Sequence, residues 1–230
     1  MTNDRFEKLD NPAWWALTGV QQSFALGGKY VKRYQRGILP FAAYDQEHAN
    51  NIALLNNWME TDEQFFLIGE FPPLPSNWLL IKELPCVQMV LEQPVPVIET
   101  IDPITPLTAA HKADMFNLIN RVQPGYYLPD TYKLGNYYGI WQHNKLVAIA
   151  GERMRLDQLT EISAICTDPD YTGRKYAQQL TAHICNTNLA TGITPFLHVL
   201  ETNERAIKLY EYLGFKKRRI ISFRQLMKIG

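Results

Sequence analysis

Two neighbouring stretches decide the fold of this chain: EISAICTDPDYTGRKYAQQL, residues 161–180, and ETNERAIKLYEYLGF, residues 201–215. In the first stretch, a strand-like run ends near Asp168 and passes through a glycine-containing turn directly into an amphipathic helix. The first amides of such a helix lack intrahelical partners, and Arg174 and Lys175 add positive charge beside them. The pattern predicts an anion site that suits a pyrophosphate, although a solvated first turn of a helix has the same pattern.

The second stretch predicts a helix that Asn203 caps and Gly214 ends. One face of this helix carries Ala206, Leu209, Tyr210 and Leu213. A capped helix with tyrosines in its packed face is the simplest interpretation of this stretch alone. The two stretches together, with the strand-like run PFLHVL at 195–200 between them, are a far more specific signal.

The order of elements becomes clear on working outward from these stretches. We predict a helix over 107–122, strands over 138–142, 145–156 and 159–167, a helix over 174–190, a strand over 195–200, a helix over 203–213 and a final extended segment over 217–229. His143-Asn144 predicts the turn between the first two of these strands. The alternation predicts a mixed sheet with crossover helices.

The N-terminal part of the sequence is less informative. Short apolar segments predict strands over 23–26, 29–34, 38–44, 64–69 and 77–91, and 46–59 has nearly helical spacing. Prolines crowd the segment EQPVPVIETIDPITPLT, which favours an extended linker. We therefore predict a small α+β domain over 1–100 and a second domain over 101–230.

Bulk composition narrows the possible functions. Lys+Arg and Asp+Glu both total 23, so the formal net charge is zero and a broad nucleic-acid surface is not expected. The three cysteines lack metal-ligand or disulfide spacing, so we expect reduced thiols and no metal. The sequence shows no signal peptide and no apolar run of membrane-spanning length, which predicts a soluble, cytoplasmic protein without membrane partners.

Residues 161–215 resemble the core of the GNAT (Gcn5-related N-acetyltransferase) superfamily, and especially its FR47-like branch, with CTDPDY…GRKYAQQL followed by NERAIKLYEYLGF. The family's phosphate-loop pattern, Arg/Gln-x-x-Gly-x-Gly/Ala, falls on 172–177. Thr172 and Lys175 depart from it, Ala177 fits, and lysine can adopt a right-handed helical turn there. The resemblance implies an α/β (α+β) fold with a mixed, mostly antiparallel sheet flanked by helices. It also suggests that residues 1–100 are a degenerate partial copy of the fold.

The resemblance implies a binding site for acetyl-CoA as co-substrate. The pantetheine arm would meet the backbone of Ile165, Cys166 and Thr167, where this strand splays from 195–200. The pyrophosphate would be held by the backbone amides of Thr172, Gly173, Arg174, Lys175, Tyr176 and Ala177. The side-chain amide of Asn203 would bind the cofactor, with its role as helix cap as the simpler alternative.

The same resemblance places Tyr210 as the general acid that protonates the departing thiolate, with a packed core tyrosine as the rival interpretation. Glu161 matches the position of a general base, although a lone glutamate at a strand start is usually a solvated residue, and His198 is a second candidate. Strand alternation puts Glu161, Ser163 and Ile165 on one face. We interpret the Cys166 side chain as packing, and the aromatic loop 124–138 as a wall of the acceptor pocket or as a surface anchor.

Three functions remain open at this point. The first is an acetyl-CoA-dependent N-acetyltransferase that acts directly on the amine of a small molecule, an amino acid or a peptide, as a monomer or homodimer. The second is a non-catalytic CoA-binding or sensor module. The third is a nucleotide- or phosphate-binding protein that uses the 172–177 turn alone, which the lack of a Walker motif disfavours.

Overall fold

A computed structural model describes residues 5–96, 98–99 and 102–229. The described helices are α1 (Pro12–Thr18), α2 (Lys112–Val122), α3 (Tyr176–Ala190) and α4 (Glu204–Tyr212). The described strands are β1 (Ala25–Gly27), β2 (Val31–Tyr34), β3 (Phe41–Tyr44), β4 (Gln64–Ile68), β5 (Trp78–Val90), β6 (Thr105–Leu107), β7 (Tyr137–Gln142), β8 (Lys145–Leu156), β9 (Leu159–Thr167), β10 (Thr194–Leu200) and β11 (Lys216–Lys228).

The described strands pair in one sheet with the order β1-β2-β3-β4-β11-β5-β10-β9-β8-β7-β6. Only β3 with β4 and β9 with β10 run parallel among these pairs. The predicted mixed, mostly antiparallel sheet is therefore confirmed.

Helices cover both faces of the sheet. The alternation of strand side chains shows this in β10, where Phe196 belongs to the core cluster that contains Leu17 of α1, while Leu197 belongs to the cluster that contains Leu180 of α3. We call the side that carries α1 and α2 the α1 face. The α3 face carries α3, α4 and a run of 3-10 turns at Gln46–Trp58.

The two halves of the sequence interleave within the sheet. β11, from the end of the chain, lies between β4 and β5, and β5 lies between β11 and β10. Pairing between β5 and β11 extends over the whole of β5, from Trp78 to Val90. The predicted boundary between residues 100 and 101 lies outside the described residues, and the division into two domains stays a prediction.

Local predictions for two helices were wrong in detail. The helix predicted over 107–122 begins at Lys112, because Thr105–Leu107 pairs with β7 as an edge strand and Thr108 caps an intervening 3-10 turn. The segment 46–59 forms 3-10 turns broken at His48 rather than one α-helix. Asparagines in this segment compete with the helical pattern, and Asn51 donates its side-chain amide to the carbonyl of His48.

The predicted β7–β8 turn is present. His143 and Asn144 have φ values of 49° and 61°, the left-handed pair that a two-residue hairpin requires. No helix in the described ranges is long and apolar enough to span a bilayer.

Candidate functional site

The sheet opens between β9 and β10. These parallel strands pair only where Thr194–Phe196 lies beside Leu159–Glu161. Beyond this point β10 pairs with β5 and β9 pairs with β8, so the edge of β9 that faces β10 has no partner among the described strands. The divergence expected from the family resemblance is present.

A bulge in β9 changes which side chains face each way. The register with β8 shifts between Ser163 and Cys166, and Ala164 has a left-handed φ of 53°. Ile162 and Ile165 consequently both pack toward the α3 face. Cys166 instead belongs to the cluster around Met115, Leu118 and Ile119 of α2, which we call the α2 core. The predicted alternation, with Ile165 on the side of Glu161, is therefore wrong beyond the bulge.

A cavity of about 460 Å³ occupies the gap between the diverging strands. Its wall includes the predicted residues Ile165, Cys166, Thr167, Thr172, Ala177, Asn203 and Tyr210. The α1 face contributes Arg153, His198 and Phe223 to the same wall, while α4 contributes Leu209 from the α3 face. The cavity therefore passes through the sheet.

The N-terminus of α3 lines a second cavity of about 410 Å³, which shares Thr167, Thr172, Ala177, Arg205 and Leu209 with the first. Every residue from 171 to 178 contributes to its wall. No acceptor in the described part of the chain receives the amide N–H groups of 172–178. Arg174, Lys175 and Lys208 also line this cavity, and none of its described wall residues is an aspartate or glutamate. These donors and charges can hold a pyrophosphate.

The backbone of the phosphate loop differs from the prediction at one residue. Lys175, immediately before α3, has φ 61° and ψ 16°, a left-handed conformation rather than the expected right-handed turn. Gly173 has φ 81°. Lys175 stands where the family pattern has glycine, and it keeps the conformation that glycine adopts most readily.

Asn203 has one polar group free for a ligand. Its side-chain oxygen accepts from the amide of Ala206 at 3.1 Å, so the predicted helix cap is present. The Nδ2 group has no acceptor among the residues that the structure describes, and Asn203 lines the cavity between β9 and β10. The cap and the predicted cofactor contact are compatible.

Tyr210 lies on α4 with its ring against Phe215. Burial, with a smaller contribution from Cys185, raises the pKa of Tyr210, so its hydroxyl stays protonated at neutral pH. This hydroxyl has no hydrogen-bond partner within the described ranges, and Tyr210 lines the same cavity. The structure therefore brings Tyr210 to the cavity wall, and its role as the acid stays a prediction.

Glu161 is fully buried rather than solvated. Arg153 donates to both of its oxygens, at 2.8 and 2.5 Å, and His198 Nδ1 lies 2.7 Å from Oε1. Burial by itself would raise the pKa of Glu161, but Arg153 and then His198 outweigh it and lower this pKa to about 2. Such a carboxylate is a weak base, and Glu161 is not part of the cavity wall. The geometry favours a positioning role, and the predicted base role stays a prediction.

His198 is also engaged at both ring nitrogens. Gln88 donates from Nε2 to the carbonyl of Leu9 and lies 3.0 Å from His198 Nε2, while its Oε1 accepts from Arg218. This assignment makes His198 Nε2 an acceptor and Nδ1 the donor to Glu161. His198 therefore lacks a free nitrogen for the base role considered from the sequence.

The structure supports a packing role for Cys166 and for some of the tyrosines in the aromatic loop 124–138. Burial, then Asp168, raises the pKa of Cys166 to about 12, and the side chain packs beside α2, which agrees with its interpretation as a packing residue. Tyr126 lines the cavity, whereas Tyr127 and Tyr137 pack in the α2 core.

Sequence reasoning missed Arg153 and Gln88. An available signal for Arg153 was its place in the strand-like run KLVAIAGERMRL, because a charge in a buried strand requires a partner.

Comparison with known families places these features in context. The model of the FR47-like protein family matches residues 137–223. A search of curated protein sequences returns no match.

Solved structures resemble the whole chain. A protein of Novosphingobium aromaticivorans assigned to the GNAT family of acetyltransferases is 30% identical, with a TM-score of 0.89 over 97% of this chain and 100% of that one. A GCN5-related N-acetyltransferase from Kribbella flavida is 15% identical, with a TM-score of 0.61 over 95% and 94% of the two chains. A Drosophila protein is 16% identical, with a TM-score of 0.65 over 89% and 76%.

Proposed function

Because this chain belongs to the GNAT family, we propose that it is an acetyl-CoA-dependent N-acetyltransferase. The acceptor is the amine of a small molecule, an amino acid or a peptide, and the transfer is direct. One observation carries this proposal: the open edge of β9, residues next to the N-terminus of α3, and the Tyr210 hydroxyl all meet in one cavity.

The residues present fit acetyl-CoA, which supplies the activated acetyl group as a thioester. The unpaired amides of Thr172–Ala177 bind the pyrophosphate, helped by the helix dipole and the charges of Arg174 and Lys175. The free backbone edge at Ile165–Thr167 binds the pantetheine arm, and Asn203 Nδ2 donates to the cofactor.

Positioning supplies most of the rate in this proposal. The cavity orients the acceptor amine toward the thioester, and a backbone N–H on the open edge of β9 stabilises charge that develops on the carbonyl oxygen. Tyr210 donates its proton to the departing sulfur. Glu161 holds Arg153 and His198 in place, and solvent removes the proton from the acceptor amine.

A non-catalytic CoA-binding module is the second candidate. One observation favours it: no carboxylate lines the described cavity wall, and both nitrogens of His198 are engaged, so this wall lacks a free general base.

We also propose that the protein is cytoplasmic and that it has no metal, nucleic-acid or membrane partner.

Calorimetric titration with acetyl-CoA, set beside ATP, tests the cofactor. Saturable binding of acetyl-CoA is expected, with ATP at least about tenfold weaker. Asn203→Ala should weaken binding and remove the helix cap, which costs about 1 kcal/mol of stability. Asn203→Ser keeps the cap, so a loss of acetyl-CoA affinity at unchanged stability assigns the effect to the ligand contact. Equal binding of ATP would contradict the proposal.

Turnover separates the two candidates. Release of the free CoA thiol is measured with a panel of amines at saturating acetyl-CoA. Acetylation of any amine supports the enzyme, while tight binding without acetylation of any amine supports the non-catalytic module.

A further inference from the structure

Arg153 is held rigidly at the α1-face end of the cavity. Its Nε and Nη2 atoms donate to Glu161, and its guanidinium lies against the rings of Phe41 and Phe223, at 5.0 and 5.7 Å from their centroids. Glu161 is anchored in turn by His198. Because these contacts fix both the plane and the rotation of the guanidinium, the direction of its remaining N–H groups is fixed as well.

The remaining edge of this guanidinium faces no hydrogen-bond acceptor from the described part of the chain. Nη1 has no acceptor in the described residues, and Nη2 keeps a second N–H. Among the described residues, two fully buried side-chain atoms lack a hydrogen-bond partner: Gln179 Oε1 and Thr181 Oγ1. Nη1 of Arg153 also lacks a partner but is not one of these fully buried atoms. Nη1 is therefore accessible, and Arg153 is part of the cavity wall.

The chemistry around this edge favours an anion. Among the residues that the structure describes, the cavity wall contains the cations Arg153 and Arg205 and no aspartate or glutamate. Glu161 cannot compete for the free edge, because its two oxygens already accept from Arg153 and His198. A carboxylate can accept two parallel hydrogen bonds from the free N–H groups of Nη1 and Nη2.

The wall that contains Arg153 has a large apolar part. Leu84, Val122, Tyr126 and Phe223 contribute apolar surface to the cavity wall, beside the polar side chains of Gln123 and His198. The Arg153 end of the cavity lies on the α1 face, whereas the phosphate-binding turn lies at the start of α3 on the opposite face. The cofactor and the acceptor can therefore occupy different ends of one cavity.

We propose that Arg153 binds the carboxylate of the acceptor, and that the acceptor is an amino acid with an apolar side chain. This inference rests on the proposed acetyltransferase activity. Arg153 is then a specificity-determining residue: it holds the carboxylate while the amine points toward β9. The apolar wall receives the side chain.

The test compares matched acceptors with the wild-type chain. Phenylalanine, phenylalaninamide and phenethylamine share one apolar group and differ in the carboxylate. Initial rates of CoA release at saturating acetyl-CoA give kcat and KM for each acceptor. Phenylalanine should have a kcat/KM at least about tenfold above that of phenethylamine, since a charged hydrogen-bonding partner is lost.

Variants locate the effect. Arg153→Lys keeps a cation beside Glu161 but loses the planar fork, so KM for phenylalanine should rise about tenfold with a smaller change in kcat. Arg155→Lys, two residues further along β8 and outside the cavity wall, is the matched control and should leave KM unchanged. Thermal unfolding and acetyl-CoA titration of both variants verify that fold and cofactor site are intact.

The outcomes are distinguishable. Equal kcat/KM for phenylalanine and phenethylamine, or an unchanged KM in Arg153→Lys, overturns the role of Arg153 and leaves the acetyltransferase in place. Acetyl-CoA binding without acetylation of any amine overturns the enzyme, and the acceptor assignment with it.

Discussion

Tyr210 and Glu161 are both buried, yet their surroundings shift their proton affinities in opposite senses. Tyr210 meets apolar neighbours, so burial stabilises its protonated form. Glu161 meets Arg153 and His198, so its ionised form prevails despite burial. The sequence identifies both residues, but their partners lie on other elements. The pKa shifts therefore could not be predicted from the residues next to them in the sequence.

Replacing Tyr210 by phenylalanine tests its role as the acid. We expect kcat to fall about 100-fold, within the usual range for a general acid, while the Kd for acetyl-CoA changes little. Tyr212→Phe is the control, because Tyr212 lies on the same helix but is 75% exposed. Unchanged turnover in Tyr210→Phe would favour the interpretation of Tyr210 as a packed core residue.

Glu161 predicts a dependence of stability on pH. Its folded pKa of about 2 lies below the ordinary value of 4.5, so its stabilising contribution is complete above pH 4.5 and is lost as the pH falls through 2. The free energy of unfolding should decrease by about 3 kcal/mol over this window from this group.

Urea unfolding at several pH values measures this contribution. Glu161→Gln should be less stable than the wild type at neutral pH, because Arg153 then lacks its charged partner, and should show a flatter decline toward pH 2. Parallel curves for the two proteins would contradict the assigned pKa.

At the scale of elements, hairpins were more predictable than irregular strands. The turn at His143-Asn144 follows from two residues that tolerate left-handed backbone and is present as predicted. The bulge at Ala164 has no such signal, since alanine is an unremarkable strand residue. The bulge depends on the pairing with β8, which is non-local information, and it decides which side chains of β9 reach the cavity.

Lys175 offers a test of loop conformation at this scale. Lys175→Gly should be more stable than Lys175→Ala by about 1 kcal/mol, because alanine retains the cost of a left-handed φ and glycine does not. A right-handed turn would give the reverse order, since alanine then has the advantage. Chemical denaturation of the two variants measures the sign directly.

At the scale of the whole molecule, the sheet crosses the division that the sequence suggested. Proline density near residue 100 indicates a connection, but it cannot reveal that β11 returns to lie between β4 and β5. Strand order depends on contacts between distant parts of the chain. Local patterns therefore predicted the elements better than their arrangement.

This arrangement predicts cooperative unfolding. Because β5 pairs with both β10 and β11, the two sequence halves should melt together in one calorimetric transition. The van't Hoff and calorimetric enthalpies should then agree. Two separate transitions would instead support independent domains over 1–100 and 101–230.

The cavity through the sheet also has a kinetic consequence. Its wall draws on both faces, with α4 on one side and Arg153 on the other. Two reactants can enter from opposite faces of the sheet, so both can be bound at the same time before either product leaves. Double-reciprocal plots at several fixed concentrations of the second reactant should accordingly intersect rather than run parallel.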